Sequence, residues 1–155
     1  METAMEPTKT AWEKEQQLGV ATIDSEHALQ GRLVAVLREA VETGREQAVI
    51  AEMLRRLEDT SNVHFMSEEL MMRLDAYDQY GFHVEEHRKL LDQLAEVRAR
   101  FESNPATDLL PMISWVEEWL SSHIKGMDRR FTESLLGDEA GLGNKAGLGN
   151  EAGSP

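Results

Sequence analysis

The chain has 155 residues and a formal net charge of −13. This length suits one domain with a single substantial core, and the negative charge opposes nucleic acid and anionic membrane surfaces as partners. The sequence contains no cysteine, so thiolate metal sites, disulfides and cysteine nucleophiles are excluded. The first residues lack the apolar run of a signal peptide and no segment has the length of a membrane span, so we expect a cytoplasmic protein.

The N-terminal part of the chain has no helical periodicity. Residues 1–11 are polar, and we predict a flexible N-terminus there, followed by an irregular arm over residues 12–20 that packs across the domain. The first helix is predicted to begin near Asp24, because aspartate is a favourable N-cap residue. It is predicted to end at Gly44, since glycine readily adopts the left-handed conformation that follows a helix.

Three further helices are predicted from apolar residues that recur at intervals of three, four or seven. They cover residues 47–74, residues 83–101 and residues 107–131, and Asn104-Pro105 separates the last two. Four amphipathic helices with short links predict an all-α fold, an antiparallel up-down-up-down four-helix bundle.

The composition changes at Gly137. The segment Glu-Ala-Gly-Leu-Gly-Asn at 139–144 is echoed by Lys-Ala-Gly-Leu-Gly-Asn at 145–150. We predict that residues 137–155 form a disordered Gly-rich tail without chemistry of its own, which leaves residues 12–136 as the functional domain.

All five histidines and two carboxylates have spacings that fit one site. His64 and Glu68 are four residues apart, as are His83 and His87, so each pair lies on one face of a helix. Such pairs aimed into a helical bundle are typical of a metal site. The candidate ligands are His27, His64, Glu68, His83, His87, His123 and Asp128.

Seven ligands exceed the four of a zinc site, which implies two metal ions. If Glu68 and Asp128 each bridge both ions, they fill four coordination positions. The five histidines and one shared oxygen then bring the total to eleven of the twelve positions of two octahedral ions. The single open position suits one small diatomic molecule.

One pair of candidate ligands does not fit a regular helix. His123 and Asp128 are five residues apart, about 140° around the helix axis. A widened turn near Gly126 would bring the two side chains onto one face.

The spacing and its flanking residues resemble the hemerythrin family, in particular the small bacterial hemerythrins. The resemblance covers about residues 12–135. It rests on Trp12, Leu18-Gly19-Val20, Ile23-Asp24-Ser25-Glu26-His27, His64-Phe65-Met66-Ser67-Glu68-Glu69, and Trp119-Leu120-Ser121-Ser122-His123-Ile124 with Asp128.

The resemblance implies a non-haem di-iron centre, bridged by Glu68, Asp128 and an oxo or hydroxo group. It implies reversible O2 binding for storage, delivery or sensing, in which the diferrous pair reduces O2 to the level of peroxide. An oxygen-binding protein is favoured over an enzyme. Glu69, one position further round the helix, is expected to be exposed.

The resemblance also divides the histidines between the ions. His83 and His87 bind one ion together with His123. His27 and His64 hold the other ion, which keeps the open position.

The family's oxygen pocket is apolar and surrounds the open iron. Its fifth position, normally Leu or Ile, is Gln30 here, and Gly31 follows where Phe is common. An amide there could donate a hydrogen bond to bound peroxide, and the missing Phe could admit water. Alternatively, Gln30 rotates outward or bonds a backbone carbonyl. The other pocket residues are Phe65, Trp119, Leu120 and Ile124.

The sequence leaves three alternative functions to compare with O2 binding. A di-iron enzyme would act on peroxide or nitric oxide at the same open iron, with Gln30 as the polar group of a reactive pocket. A sensing module would act with a protein partner in trans. The sequence His83-Val-Glu-Glu-His87 also matches the H-x-x-E-H zinc-peptidase signature, but that interpretation leaves three histidines unexplained.

Overall fold

The computed structural model describes residues 10–146, and the described residues form helices and no strands. The elements, in chain order, are α1 Ala11–Glu15, α2 Ala21–Glu42, α3 Gln47–Leu74, α4 Tyr80–Ser103, α5 Leu110–His123, a π-helical segment Ile124–Asp128, and α6 Arg129–Ala146. The sequence predictions for residues 1–9 and 147–155 lie outside the described residues.

The long helices form an antiparallel bundle. Helix α2 packs on α3, α3 on α4, α4 on α5, and α5 on α2, so the ring closes. Antiparallel pairing is visible in hydrogen bonds that join distant residues, such as Arg98 of α4 to Glu58 of α3 and Arg38 of α2 to Glu117 of α5. The predicted up-down-up-down four-helix bundle is confirmed.

The bundle has an apolar half and a polar half. Leu37, Leu54, Leu94 and Ile113, one from each long helix, are at most 1% exposed and fill the apolar half. Burying each of these side chains contributes roughly 1.5–3 kcal/mol to folding. This core holds the four helices in register, and the histidines therefore meet at the other half.

Helix α2 begins three residues before the predicted N-cap. Asp24 lies in its first turn, and the Asp24 carboxylate accepts hydrogen bonds from the backbone N–H groups of Leu18 and Gly19 at 2.8 and 3.1 Å. Asp24 therefore ties the arm to the helix instead of capping it. The predicted end is confirmed, because Gly44 has φ of +66° and closes the helix.

The predicted irregular arm contains a short helix, α1. Thr10 and Glu13 form a capping box: the Thr10 N–H donates to Glu13 at 2.7 Å, and the Glu13 N–H donates to the Thr10 hydroxyl at 3.2 Å. This pair satisfies the N–H groups at the start of α1, so the segment is helical where we predicted irregular structure.

The C-terminal helix continues beyond the boundary predicted at Gly137. Helix α6 runs to Ala146, although its residues include three glycines after Leu136. Leu136 packs near Gly19 of the arm, and alanine, glutamate and leucine in the following residues favour the helix. None of the helices in the described part of the chain combines the length and apolar character that a membrane crossing requires.

Candidate metal centre

The seven predicted ligands all lie inside the polar half of the bundle. Each is at most 5% exposed, and every long helix supplies at least one of them. They are His27 on α2, His64 and Glu68 on α3, His83 and His87 on α4, His123 at the end of α5, and Asp128 at the end of the π-helical segment.

The π-helical segment Ile124–Asp128 resolves the awkward spacing of His123 and Asp128. Its wider turn rotates Asp128 back onto the face of His123, so that His123 Nε2 lies 3.0 Å from Asp128 Oδ1. The predicted widened turn near Gly126 is confirmed.

One group of ligands combines three histidines with both carboxylates. His123 Nε2 lies 3.0 Å from His83 Nε2 and 3.1 Å from His87 Nε2. His83 Nε2 is 2.8 Å from Asp128 Oδ1, and His87 Nε2 is 3.4 Å from Glu68 Oε2. The potential ligand atoms of these five residues all lie within 4.8 Å of one another, close enough to hold one ion.

A second group combines His27 and His64 with Asp128. His27 Nε2 lies 2.9 Å from Asp128 Oδ2, whereas His83 and His123 contact the other oxygen, Oδ1. Glu68 Oε2 lies 3.6 Å from His64 Nε2 and 3.4 Å from His87 Nε2, between the two groups. Asp128 therefore belongs to both groups, and Glu68 lies beside one histidine of each group.

The protonation equilibria of this cluster reflect its burial. Burial lowers the pKa of His87 to about 2, and the neighbouring His123 and His83 contribute to the shift. Burial also lowers the pKa of His83. These two imidazoles are neutral at physiological pH, which is the form that binds a metal.

The pKa values of the two carboxylates, Glu68 and Asp128, are shifted in opposite directions. Burial, followed by the nearby negative charge of Asp128, raises the pKa of Glu68 well above its usual range. Burial alone would also raise the pKa of Asp128, but His123, His27 and His83 outweigh it and hold that pKa well below its usual range. A bound cation would favour the ionised form of both.

The donor set fits a pair of metal ions. Glu68 is fully buried, yet neither of its carboxylate oxygens accepts a hydrogen bond from the described residues, and His64 Nε2 also has no hydrogen-bond partner there. Leaving a buried polar atom unpaired costs about 1–3 kcal/mol. Two cations between these nitrogen and oxygen atoms would supply the missing interactions.

Two outer carboxylates contact the rings of candidate ligand histidines. His64 Nδ1 bonds Glu26, and His87 Nδ1 lies 2.9 Å from Glu69 Oε1. The expectation that Glu69 is exposed is wrong, since its side chain is only 17% exposed. Each such bond directs the other ring nitrogen, Nε2, into the cluster. Neither glutamate was assigned this role from the sequence, where a carboxylate beside a ligand resembles a solvated surface residue.

Aromatic rings cover the cluster. Phe65 stacks on His87 with ring centroids 3.9 Å apart, and Trp119 stacks on His123 at 4.4 Å. Leu120, next to Trp119 in the chain, and Ile124, next to His123, are buried. Phe65 and Trp119 thus form an apolar wall at these two histidine rings.

The alternative placement of Gln30, outward or against a backbone carbonyl, is not found. Gln30 is fully buried, and its Nε2 donates to the Ser61 hydroxyl at 3.1 Å, so it neither rotates outward nor bonds a backbone carbonyl. Ser61 is also fully buried and was missed by sequence analysis, because a single serine within a helix carries no distinctive spacing signal.

The H-x-x-E-H interpretation finds no support in the arrangement. Glu86, which would serve as the general base of a zinc peptidase, pairs with Lys89 on the outer side of α4. The three histidines outside the signature join the cluster instead of lying elsewhere.

Comparison with known proteins agrees with this geometry. The family model described as the hemerythrin HHE cation binding domain matches residues 18–134. The bacteriohemerythrin of Methylococcus capsulatus is 30% identical over 83% of this chain and 95% of its own length. The bacteriohemerythrin of Pseudomonas paraeruginosa is 27% identical over 80% of each chain. A crystal structure of wild-type hemerythrin is 28% identical, with a TM-score of 0.74, over 84% of this chain and 98% of that one. The chain therefore belongs to the hemerythrin family, whose members bind non-haem iron and O2.

Proposed function

We propose that the chain holds two iron ions and binds O2 reversibly at one of them, for oxygen storage, delivery or sensing. The observation that carries this proposal is the unequal division of the ligands. Five donors surround one position and three surround the other, and Asp128 belongs to both groups.

The distances support the following assignment of ligands to the two ions. His83, His87 and His123 hold the first ion, and His27 and His64 hold the second. The bridges are Glu68, Asp128 and an oxo or hydroxo group. The first ion has one more histidine than the second, so the second ion keeps a coordination position for a small molecule.

Iron fits this donor set better than zinc does. Structural and catalytic zinc sites use four ligands or three with a water, whereas two octahedral ions use all seven side chains here. Neutral imidazoles with a few carboxylates also suit a metal that changes between ferrous and ferric states. The irons would supply the electrons for reversible O2 binding.

The protein's own contribution is orientation and exclusion of water. Glu26 and Glu69 fix the rings of His64 and His87, so those ligands need little rearrangement when a metal binds. The apolar side chains of Phe65, Trp119, Leu120 and Ile124 favour a neutral diatomic molecule over water, because burying a polar molecule without partners is costly.

A second candidate function is a di-iron enzyme that acts on peroxide or nitric oxide at the same position. The buried polar pair of Gln30 and Ser61 favours it, since these residues lie one helical turn from His27 and His64. A purely apolar pocket would not contain this pair.

One experiment separates these functions. The purified protein is loaded with ferrous iron, exposed to O2, and followed by its visible spectrum while O2 is evacuated and readmitted. An O2 carrier gives a spectrum that appears and disappears over repeated cycles. A di-iron enzyme instead passes directly to a stable ferric spectrum. It also consumes peroxide or nitric oxide steadily when an electron donor is present, and this result would refute the O2 carrier.

A further inference from the structure

A buried polar pair connects α2 and α3 beside the metal centre. Gln30 and Ser61 are both 0% exposed, and Gln30 Nε2 donates to Ser61 Oγ at 3.1 Å. This hydrogen bond fixes the direction of the amide. The other amide atom, Gln30 Oε1, is buried and has no hydrogen-bond partner among the described residues.

His27, one helical turn from Gln30, also has a buried atom without a hydrogen-bond partner. Its Nε2 faces Asp128 Oδ2 at 2.9 Å, and its Nδ1 is buried without a hydrogen-bond partner in the described part of the chain. When Nε2 of a histidine binds a metal, Nδ1 carries the ring hydrogen and needs an acceptor. For His64 and His87, the acceptors are Glu26 and Glu69.

The donor, Nδ1–H of His27, and the acceptor, Oε1 of Gln30, belong to side chains on the same face of α2. Gln30 follows His27 by three residues, which places the two side chains one above the other on a helix. Ser61 precedes His64 by three residues on α3, and the rings of His27 and His64 are 4.7 Å apart. The Gln30–Ser61 pair therefore forms the layer of the bundle next to the two-histidine position.

We propose that Gln30, held by Ser61, is the outer hydrogen-bond acceptor of His27, through one bound water. The water would accept from the His27 Nδ1–H and donate to Gln30 Oε1, which satisfies both buried atoms. This inference rests on the proposed function, because it takes His27 as a metal ligand. Gln30 is then a positioning residue that acts through His27.

The three outer acceptors differ in charge. Glu26 and Glu69 are carboxylates, whereas Gln30 is a neutral amide. A neutral acceptor makes an imidazole less electron-rich than a carboxylate does, so His27 becomes a weaker ligand than His64. The two-histidine ion, which also has fewer donors around it, would therefore be the more weakly bound of the two.

The test measures ferrous iron binding by competition with a chelator, together with the proton NMR spectrum of the iron-loaded protein. Iron shifts the ring N–H protons of its ligand histidines out of the main spectrum, and these protons disappear in D2O. Removing an outer partner of a ligand typically costs 10–100-fold in metal affinity. We expect Gln30→Leu to weaken the more weakly bound iron by about this factor and to speed the exchange of the His27 N–H.

Two further variants separate this role from packing. Gln30→Glu retains an acceptor oxygen, so it should keep the affinity and a protected N–H, and its more electron-rich His27 should lower the reduction potential of the centre. Ser61→Ala removes the hydrogen bond that holds the Gln30 amide. It should therefore also weaken iron binding, by a smaller factor than Gln30→Leu. Ser122→Ala, an exposed serine beside His123, is the matched control and should change neither quantity.

The outcomes are distinguishable from failure of the proposed function. If Gln30→Leu binds both irons as tightly as the parent, with the same N–H exchange, Gln30 only fills space and the inference is overturned. If Gln30→Glu shows the same loss as Gln30→Leu, the acceptor role is also wrong. A parent protein that binds fewer than two irons would instead refute the proposed function, and the role of His27 as a ligand with it.

Discussion

Glu68 should destabilise the metal-free protein and stabilise the iron-loaded one. Its side chain is 0% exposed, and neither carboxylate oxygen accepts a hydrogen bond from the described residues. Replacing it by methionine, which is unbranched and adaptable, removes that unpaired polar group. The expected gain for the apoprotein is about 1–3 kcal/mol, the cost of an unsatisfied buried group. For a chain of this size, each kcal/mol raises the thermal midpoint by roughly 2–4 °C.

The assay is urea unfolding of the parent and of Glu68→Met, each with and without ferrous iron. Bound iron adds RT ln(1 + [L]/Kd) to the free energy of unfolding. Glu68→Met has lost one proposed iron ligand, so iron should stabilise it less than it stabilises the parent. The variant should therefore be the more stable protein without iron and the less stable one with iron. Glu58→Met is the matched control on the same helix. Glu58 accepts from Arg98 at 2.6 Å near the surface, so its loss should cost at most about 1 kcal/mol with or without iron. An apoprotein of Glu68→Met that is less stable than the parent apoprotein would refute this reasoning.

Three other changes test separate parts of the structure. His27→Ala should lose nearer one iron than two, because His83, His87 and His123 hold the other ion without it; metal analysis that showed both irons lost would contradict the ligand assignment. Gly44→Ala should lower the free energy of unfolding by about 1 kcal/mol, since φ of +66° strains an alanine, and an unchanged urea midpoint would contradict this. A chain that ends at Leu136 should keep its iron and O2 binding, and loss of either would give the segment from Gly137 a role that its composition does not suggest.

The bounds of a helix were predictable where apolar residues recur at helical spacing along its whole length. Helix α3 has the predicted bounds because its apolar stripe, buried from Ile50 to Met72, runs along almost the whole helix and Gly44 lies just before it. The start of α2 was not predictable from Asp24 alone. An aspartate that caps a helix and one that binds the preceding arm have the same local sequence, and only the contacts with Leu18 and Gly19 distinguish them.

The candidate site was predictable for the residues that share a spacing. Helical spacing placed the candidate ligands on inward faces, with a widened turn needed for Asp128, and the structure brings all seven together. Ser61, Glu26 and Glu69 were not identified, because each acts across the interface between two helices. Their roles depend on which residue of the neighbouring helix lies opposite, and helical periodicity contains no information about that register.

The ratio of bound O2 to iron tests the central claim most directly. The reduced, iron-loaded protein would be equilibrated with O2 at known pressure, and the gas taken up and then released under vacuum would be measured against total iron. The unequal division of ligands predicts one O2 for every two irons, with the same uptake in successive cycles. One O2 for each iron would contradict a single open position, and uptake without release would contradict reversible binding.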